Sequence, residues 1–157
     1  MRSIIFLLAF GLLLAGCYKD KSVAATTPPV VYEFPWFFQV GAQTYKGIVD
    51  SVIVVQHDST SVLTIKGIDT VTGGRLTLVV AAPSLAAGTY HGPVASFSYA
   101  EDINPRYVSA ADTSLFSITL LEMDEARVSG SFSGTVLSVN GTDSTLLLNG
   151  SFRGLRE

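Results

Sequence analysis

The sequence predicts an all-β domain, expected as an antiparallel β-sandwich of about 8–10 short strands that ends in a three-stranded meander. Three observations predict it. From Tyr32 onward Val, Ile, Thr, Phe and Tyr are enriched, turn residues recur at short intervals, and no window carries a 3.6-residue apolar period. A flattened or closed lipocalin-like barrel is the alternative way to bury such strands, and sequence alternation alone separates the two poorly.

The strands follow in order. The first covers residues 34–40 and turns at Gly41-Ala42 into 44–46. Next come 51–57 and 61–68, joined around Asp58-Ser59. A loop at 69–74 leads into 75–82, where Leu76, Leu78 and Val80 share one face, and Pro83 ends that strand by removing a ladder donor. Residues 83–112 are the least regular part: Gly88-Thr89-Tyr90 and 96–100 read as short strands, 101–105 as loop, and 106–108 as a brief pairing.

The last third has the cleanest alternation. Residues 115–123 form a strand and Asp124-Glu125 the turn. Residues 127–139 then place Val128, Gly130, Phe132, Gly134 and Val136 on one face, with Ser129, Ser131, Ser133 and Thr135 on the other. Glycines at two inward positions point to close packing or a bend there. Asn140-Gly141 is a hairpin signal, since both turn positions favour positive φ, and 145–153 returns with Leu146, Leu148 and Phe152 inward. This meander has one wet face.

Ahead of the domain stands a different kind of segment. Met1-Arg2-Ser3 is a short positive region, residues 4–14 are unbroken apolar, and small residues follow at Ala15 and Gly16. That is the layout of a secretory signal over residues 1–16, and it falls short of the roughly 20 apolar residues a membrane-spanning helix needs. Leu14-Ala15-Gly16-Cys17 has the form of a bacterial lipobox, with Cys17, the single cysteine, as the lipid-accepting thiol. A thiolate is the nucleophile that takes a diacylglyceryl group, and small neighbours let transferase and peptidase reach the backbone. Two or more acyl chains then hold a protein stably at a bilayer. Tyr18 follows Cys17, so the Asp that favours inner-membrane retention is absent, while Lys19-Asp20-Lys21 partly matches a Lys-plus-acid export signal. The expected location is the outer membrane, lipid-anchored, with either the periplasmic or the cell-surface face open. Residues 17–33 read as lipidated cysteine and tether, stiffened by Pro28-Pro29, and residues 18–31 extended reach about 45 Å.

Composition sets further bounds. The mature chain of about 141 residues is one domain's worth, 34–157, able to bury a core without disulfide staples. No block of Lys or Arg exists, which argues against nucleic acid as a partner. The partners expected are the membrane through the anchor, and a glycan or an envelope protein.

Short motifs spread through the domain carry a family resemblance: Ile65-Lys66-Gly67-Ile68-Asp69, Gly88-Thr89-Tyr90, Ile118-Thr119 with Asp124, Ser129-Gly130-Ser131-Phe132-Ser133 and Asn149-Gly150-Ser151-Phe152. In these, residues 34–154 resemble a lipoprotein domain family of unknown function from the Bacteroidota. The resemblance implies a lipid-anchored β domain without an assigned activity.

Candidate chemistry is sparse. Gly130-Ser131-Phe132-Ser133-Gly134 lacks the central serine and the strand–turn–helix setting of a nucleophile elbow. His57 and His91 are the two histidines, and no spacing ties either to a Ser-His-Asp set or to a zinc ligand pair. The acidic clusters Glu101-Asp102 and Glu122-Asp124-Glu125 read as solvated turns, because calcium needs six to eight oxygens. No catalytic residue, metal or cofactor is therefore expected. Trp36, Tyr90, His91, Tyr99 and Tyr107 are the candidate ligand-binding set, able to stack on a sugar or grip an apolar ligand, although such rings more often close a β core. Ser51, Ser59, Thr70 and Ser144 each follow an aspartate and precede or lie near an apolar residue, the pattern of O-glycosylation in exported Bacteroidota proteins.

Overall fold

The structure is a computed structural model that describes residues 35–101, 104–110, 115–139 and 143–157. Ten strands follow in chain order: β1 (Pro35–Val40), β2 (Gln43–His57), β3 (Thr60–Ile68), β4 (Arg75–Ala82), β5 (Gly88–His91), β6 (Ala95–Glu101), β7 (Asn104–Ser109), β8 (Phe116–Met123), β9 (Arg127–Ser138) and β10 (Ser144–Leu155). Neighbours run antiparallel throughout. The order β10-β1-β2-β3-β4-β6-β7-β9 closes on itself because β9 also pairs with β10, giving an eight-strand barrel. β7 occupies only Val136 to Ser138 on its side of β9. Further along the same edge β8 pairs from Val128 to Gly134, and β5 adds to β8.

This closed ring corrects the expected sandwich in favour of its barrel alternative. Both architectures bury alternate residues of short strands, so the pattern is the same. The difference lies in β10, which pairs with β9 on one side and β1 on the other and so ties the last strand to the first. The C-terminal meander of β8, β9 and β10 is present as expected.

Two local expectations also change. The segments at 44–46 and 51–57 belong to one fifteen-residue strand, β2, whose first part pairs with β1 and whose second part pairs with β3. A register shift between Val49 and Ser51 bends it where it changes partner. On β10 the inward residues are Leu147 and Phe152, while Leu146 and Leu148 face outward. The cause is a bulge: β10 advances three residues from Leu147 to Gly150 while β9 advances two, and Asn149 takes a φ of 54°. One extra residue flips the alternation. The Asn140-Gly141 turn lies outside the described residues.

The interior is filled by the chain's own rings. Trp36, Phe38, Tyr99 and Phe116 are fully buried, with Tyr45, Phe97, Phe132 and Phe152 nearly so. Phe38 sits centrally, stacked on Tyr45 at 4.9 Å and edge-on to Phe97 and Tyr99 at 5.2 and 5.3 Å. Trp36 lies over Gly47 and Gly67, where an added Cβ would stand 2.7 Å and 2.3 Å from the indole, and its Nε1–H donates to the Ile48 carbonyl at 2.8 Å. Large rings are thus accommodated where the facing strand gives up its side chain.

Phe38→Ala removes the ring that touches the most others, and its cost is expected at about 3–5 kcal/mol. Urea unfolding followed by fluorescence of the single Trp36 is expected to show a large drop in midpoint with an unchanged slope.

Candidate functional site

Antiparallel order places the β1–β2 turn and the loop at 69–74 at one end of the barrel. The β2–β3 turn, residues 83–87 and the β8–β9 turn lie at the other.

The first end is closed by polar groups that satisfy one another. The Tyr45 and Tyr107 hydroxyls lie 3.3 Å apart, and the Arg106 guanidinium stands 5.6 Å from both ring centroids while pairing with Glu101. Burial, followed by the bond to Tyr107, pushes the Tyr45 phenol up, and the Glu101 carboxylate holds Arg106 firmly protonated. Nearby, Asp69 is buried and accepts the Val71 and Thr72 N–H groups at 2.8 and 3.1 Å. The Tyr99 hydroxyl points at its other oxygen from 3.5 Å. Burial alone would raise the Asp69 carboxyl, but the bonds from Val71, Thr72 and Tyr99 together outweigh it and hold the group below the usual carboxylate range. Burial in turn raises the Tyr99 phenol. Among the described residues every buried side-chain nitrogen and oxygen has a partner, so this end reads as a plug.

The second end is open. A groove of about 490 Å³ has Val54, Leu85 and Met123 as its apolar part, with Gln56, Ser84, Asp124, Glu125 and Arg156 around it. Residues 83–87 are held here by Tyr90, whose hydroxyl donates to the Ala86 carbonyl and accepts the Ala86 N–H, both at 2.9 Å. Asp124 caps the β8–β9 turn by accepting the Ala126 and Arg127 N–H groups at 2.7 and 2.6 Å, which lowers its carboxyl. Arg156 donates to the Asp124 carbonyl at 3.2 Å. Three half-buried apolar side chains packed against the core thus border a mostly polar hollow, with one fixed anion, a second carboxylate and a cation along it.

No family model, curated protein or solved structure matches the chain.

The residues singled out from sequence do not gather. Trp36 and Tyr99 are core, Tyr107 belongs to the plug, Tyr90 pins the loop beside the groove, and His91 is exposed on β5. His57 is 81% exposed on its side chain, with its Nδ1 3.3 Å from an Asp58 oxygen. Neither histidine hydrogen-bonds a serine hydroxyl among the described residues. Ser131 and Ser133 lie on the outer face of β9, and no group of three or more potential metal ligands occurs among the described residues. Ser59, Thr70 and Ser144 are exposed, whereas Ser51 is half-buried in the β2 ladder. Cys17 lies outside the described residues. The groove residues Val54, Leu85, Met123 and Arg156 were not singled out, since they come from four separate segments. The one local hint is Leu85, an apolar residue in a loop opened by Pro83-Ser84.

Asp69 gives the plugged end a pH dependence with a definite sign. A carboxylate held below its unfolded value adds stability above about pH 3.9 and loses it as pH falls through the lower folded value. Asp69→Asn is therefore expected to be less stable than the natural protein at neutral pH, by about 1–3 kcal/mol. The gap should narrow in acid, read as urea midpoints across the acid range.

Proposed function

We propose that the protein is an outer-membrane lipoprotein, anchored through acylated Cys17, whose barrel is a non-enzymatic module that binds a small amphipathic ligand or an envelope partner at its open end. The observation that carries the binding part is the groove bounded by Val54, Leu85 and Met123, set against an interior already occupied by rings. A carrier that swallowed its ligand would need that interior empty, so the ligand sits at the mouth instead. A glycan module needs an exposed row of rings, and the burial of Trp36 and Tyr99 speaks against one.

Membership in the Bacteroidota lipoprotein domain family belongs to the same reading. Its motifs fall where this barrel is most constrained: Gly67 lies against Trp36, Asp69 ties the 69–74 loop, and Asn149-Gly150 forms the β10 bulge. Motifs so placed report on a shared fold and leave the ligand free to vary.

Feeding cells a clickable palmitate analogue tests the anchor. The natural protein is expected to take the label and stay with membranes after a high-salt wash, and Cys17→Ala to do neither; an unlabelled natural protein ends the lipoprotein reading. For the groove, the probe is anilinonaphthalene sulfonate added to the folded protein. Leu85→Asp with Met123→Asp is expected to weaken its binding by about tenfold or more, as the loss of one buried apolar side chain would. Equal binding by both proteins would place the probe elsewhere and refute the groove.

A further inference from the structure

The outer wall of the barrel carries a second unassigned surface. Pairing across four strands sets Pro35, Ile48, Ile68 and Arg75 in one row, since Pro35 faces Ile48, Ile48 faces Ile68, and Ile68 faces Arg75. Adjacent strands lie about 4.8 Å apart, so the row is about 14 Å long. All four side chains are exposed. Phe37 and Lys46, paired with each other, stand one row nearer the 69–74 loop, and Phe37 is 43% exposed. That loop carries Val71, 83% exposed, and a hollow of about 430 Å³ opens between Phe37, Lys46, Ile48 and Val71. Lys66, two residues before Ile68 on the same face of β3, completes the patch.

Its charge is opposite to that of the chain. From residue 35 on there are eleven acids and seven bases, yet Lys46, Lys66 and Arg75 meet here around four apolar side chains. Asp50 is the acid that shares the face, and Asp69, next along from Ile68, is turned inward and capped. None of the three cations is ion-paired among the described residues. The chain segment from Cys17 also joins the barrel at this patch, at Pro35 itself.

We propose that this face rests on the anionic surface of the bilayer that holds the anchor, with Phe37, Ile48, Ile68 and Val71 entering the headgroup layer and Lys46, Lys66 and Arg75 bound to lipid phosphates. Apolar side chains ringed by cations are what an anionic interface selects, each cation adding to the attraction and salt weakening it. A tether of residues 18–34 by itself allows any orientation; this face selects one, and it directs the groove at the opposite end of the barrel away from the lipid.

The inference rests on the lipoprotein reading, and its test separates the two. The full acylated protein, carrying Val71→Cys or His57→Cys labelled with an environment-sensitive dye, is placed in vesicles of phosphatidylcholine and phosphatidylglycerol containing a doxyl-lipid quencher. Quenching is expected at position 71 and not at position 57, at the other end of β2 and β3. Lys46→Gln, Lys66→Gln and Arg75→Gln together are expected to lower the face's affinity for the surface on the order of 100-fold, so that position 71 behaves like position 57. Equal quenching at the two sites, no effect of the triple substitution, or equal contact with vesicles of phosphatidylcholine alone would each overturn the proposal. So would concentration-dependent shielding of position 71 without vesicles, which would make a second copy the occupant. An unmodified Cys17, seen by mass, refutes the anchor instead. The unacylated chain must then still float with the anionic vesicles, and its failure to float overturns the face as well.

Discussion

A closed ring of eight strands encloses a space just wide enough for side chains to fill, and the sequence meets that limit by setting large rings against glycines. Trp36 occupies the room left by Gly47 and Gly67, Phe152 that left by Gly130, and Phe132 that left by Gly150. An alanine at any of these four positions would bring a carbon within 2.7 Å of the facing ring. Gly134 serves a different need, since its φ of 138° and the nearness of the Leu115 carbonyl suit no other residue where β9 passes from β8 to β7 as its partner. The glycines are therefore sites of close contact, where a side chain on the strand would collide with a ring or a neighbouring backbone.

Much of this was legible. On β4 the alternation of Leu76, Leu78 and Val80 named three residues that are fully buried, and on β9 the inward set of Val128, Phe132 and Val136 is likewise buried. Period-2 patterns read well because each strand decides its own faces. What escaped depends on partners far along the chain. Gly47-Ile48 looked like a break between two strands, but β1 and β3 both hold β2 there, and its glycine is required by Trp36. Leu146 and Leu148 looked inward because the pattern was carried unbroken past Asn149, whose positive φ marks the bulge. Closure itself has no sequence signature, because it is a statement about which strand β10 finds on its second edge.

The candidate site was less legible than the fold for the same reason. Aromatic residues were the natural candidates, but in a barrel this narrow they are the filling, and two of the five named from sequence are wholly enclosed. The groove is built instead from a loop leucine, a strand-end methionine and a C-terminal arginine, none of them unusual where it stands. Its polar counterpart at the other end, Tyr45 with Tyr107, Arg106 and Glu101, joins β2 to β7 across sixty-two residues of chain. A hydroxyl pair and a guanidinium between two rings are the kind of arrangement that catalysis also uses, yet here each group is taken up by its neighbour.

A solid barrel moves function to its outside, and the two ends and the wall are then unequal. One end is sealed by bonded tyrosines, an arginine and a capped aspartate, which leaves few free donors to recognise anything. The other has half-buried apolar side chains, packed against the core, beside a fixed carboxylate. The wall around Ile48 and Ile68 joins exposed apolar side chains to three cations, Lys46, Lys66 and Arg75, in a domain that is acidic as a whole. On the proposal that Cys17 leashes the protein to a bilayer and that this wall rests on it, the groove and the wall are complementary: the wall would settle how the barrel stands, and that stance would decide whether the groove faces lipid or solvent. That geometric dependence gives the cationic face a consequence at the groove, although no side chain is shared between them.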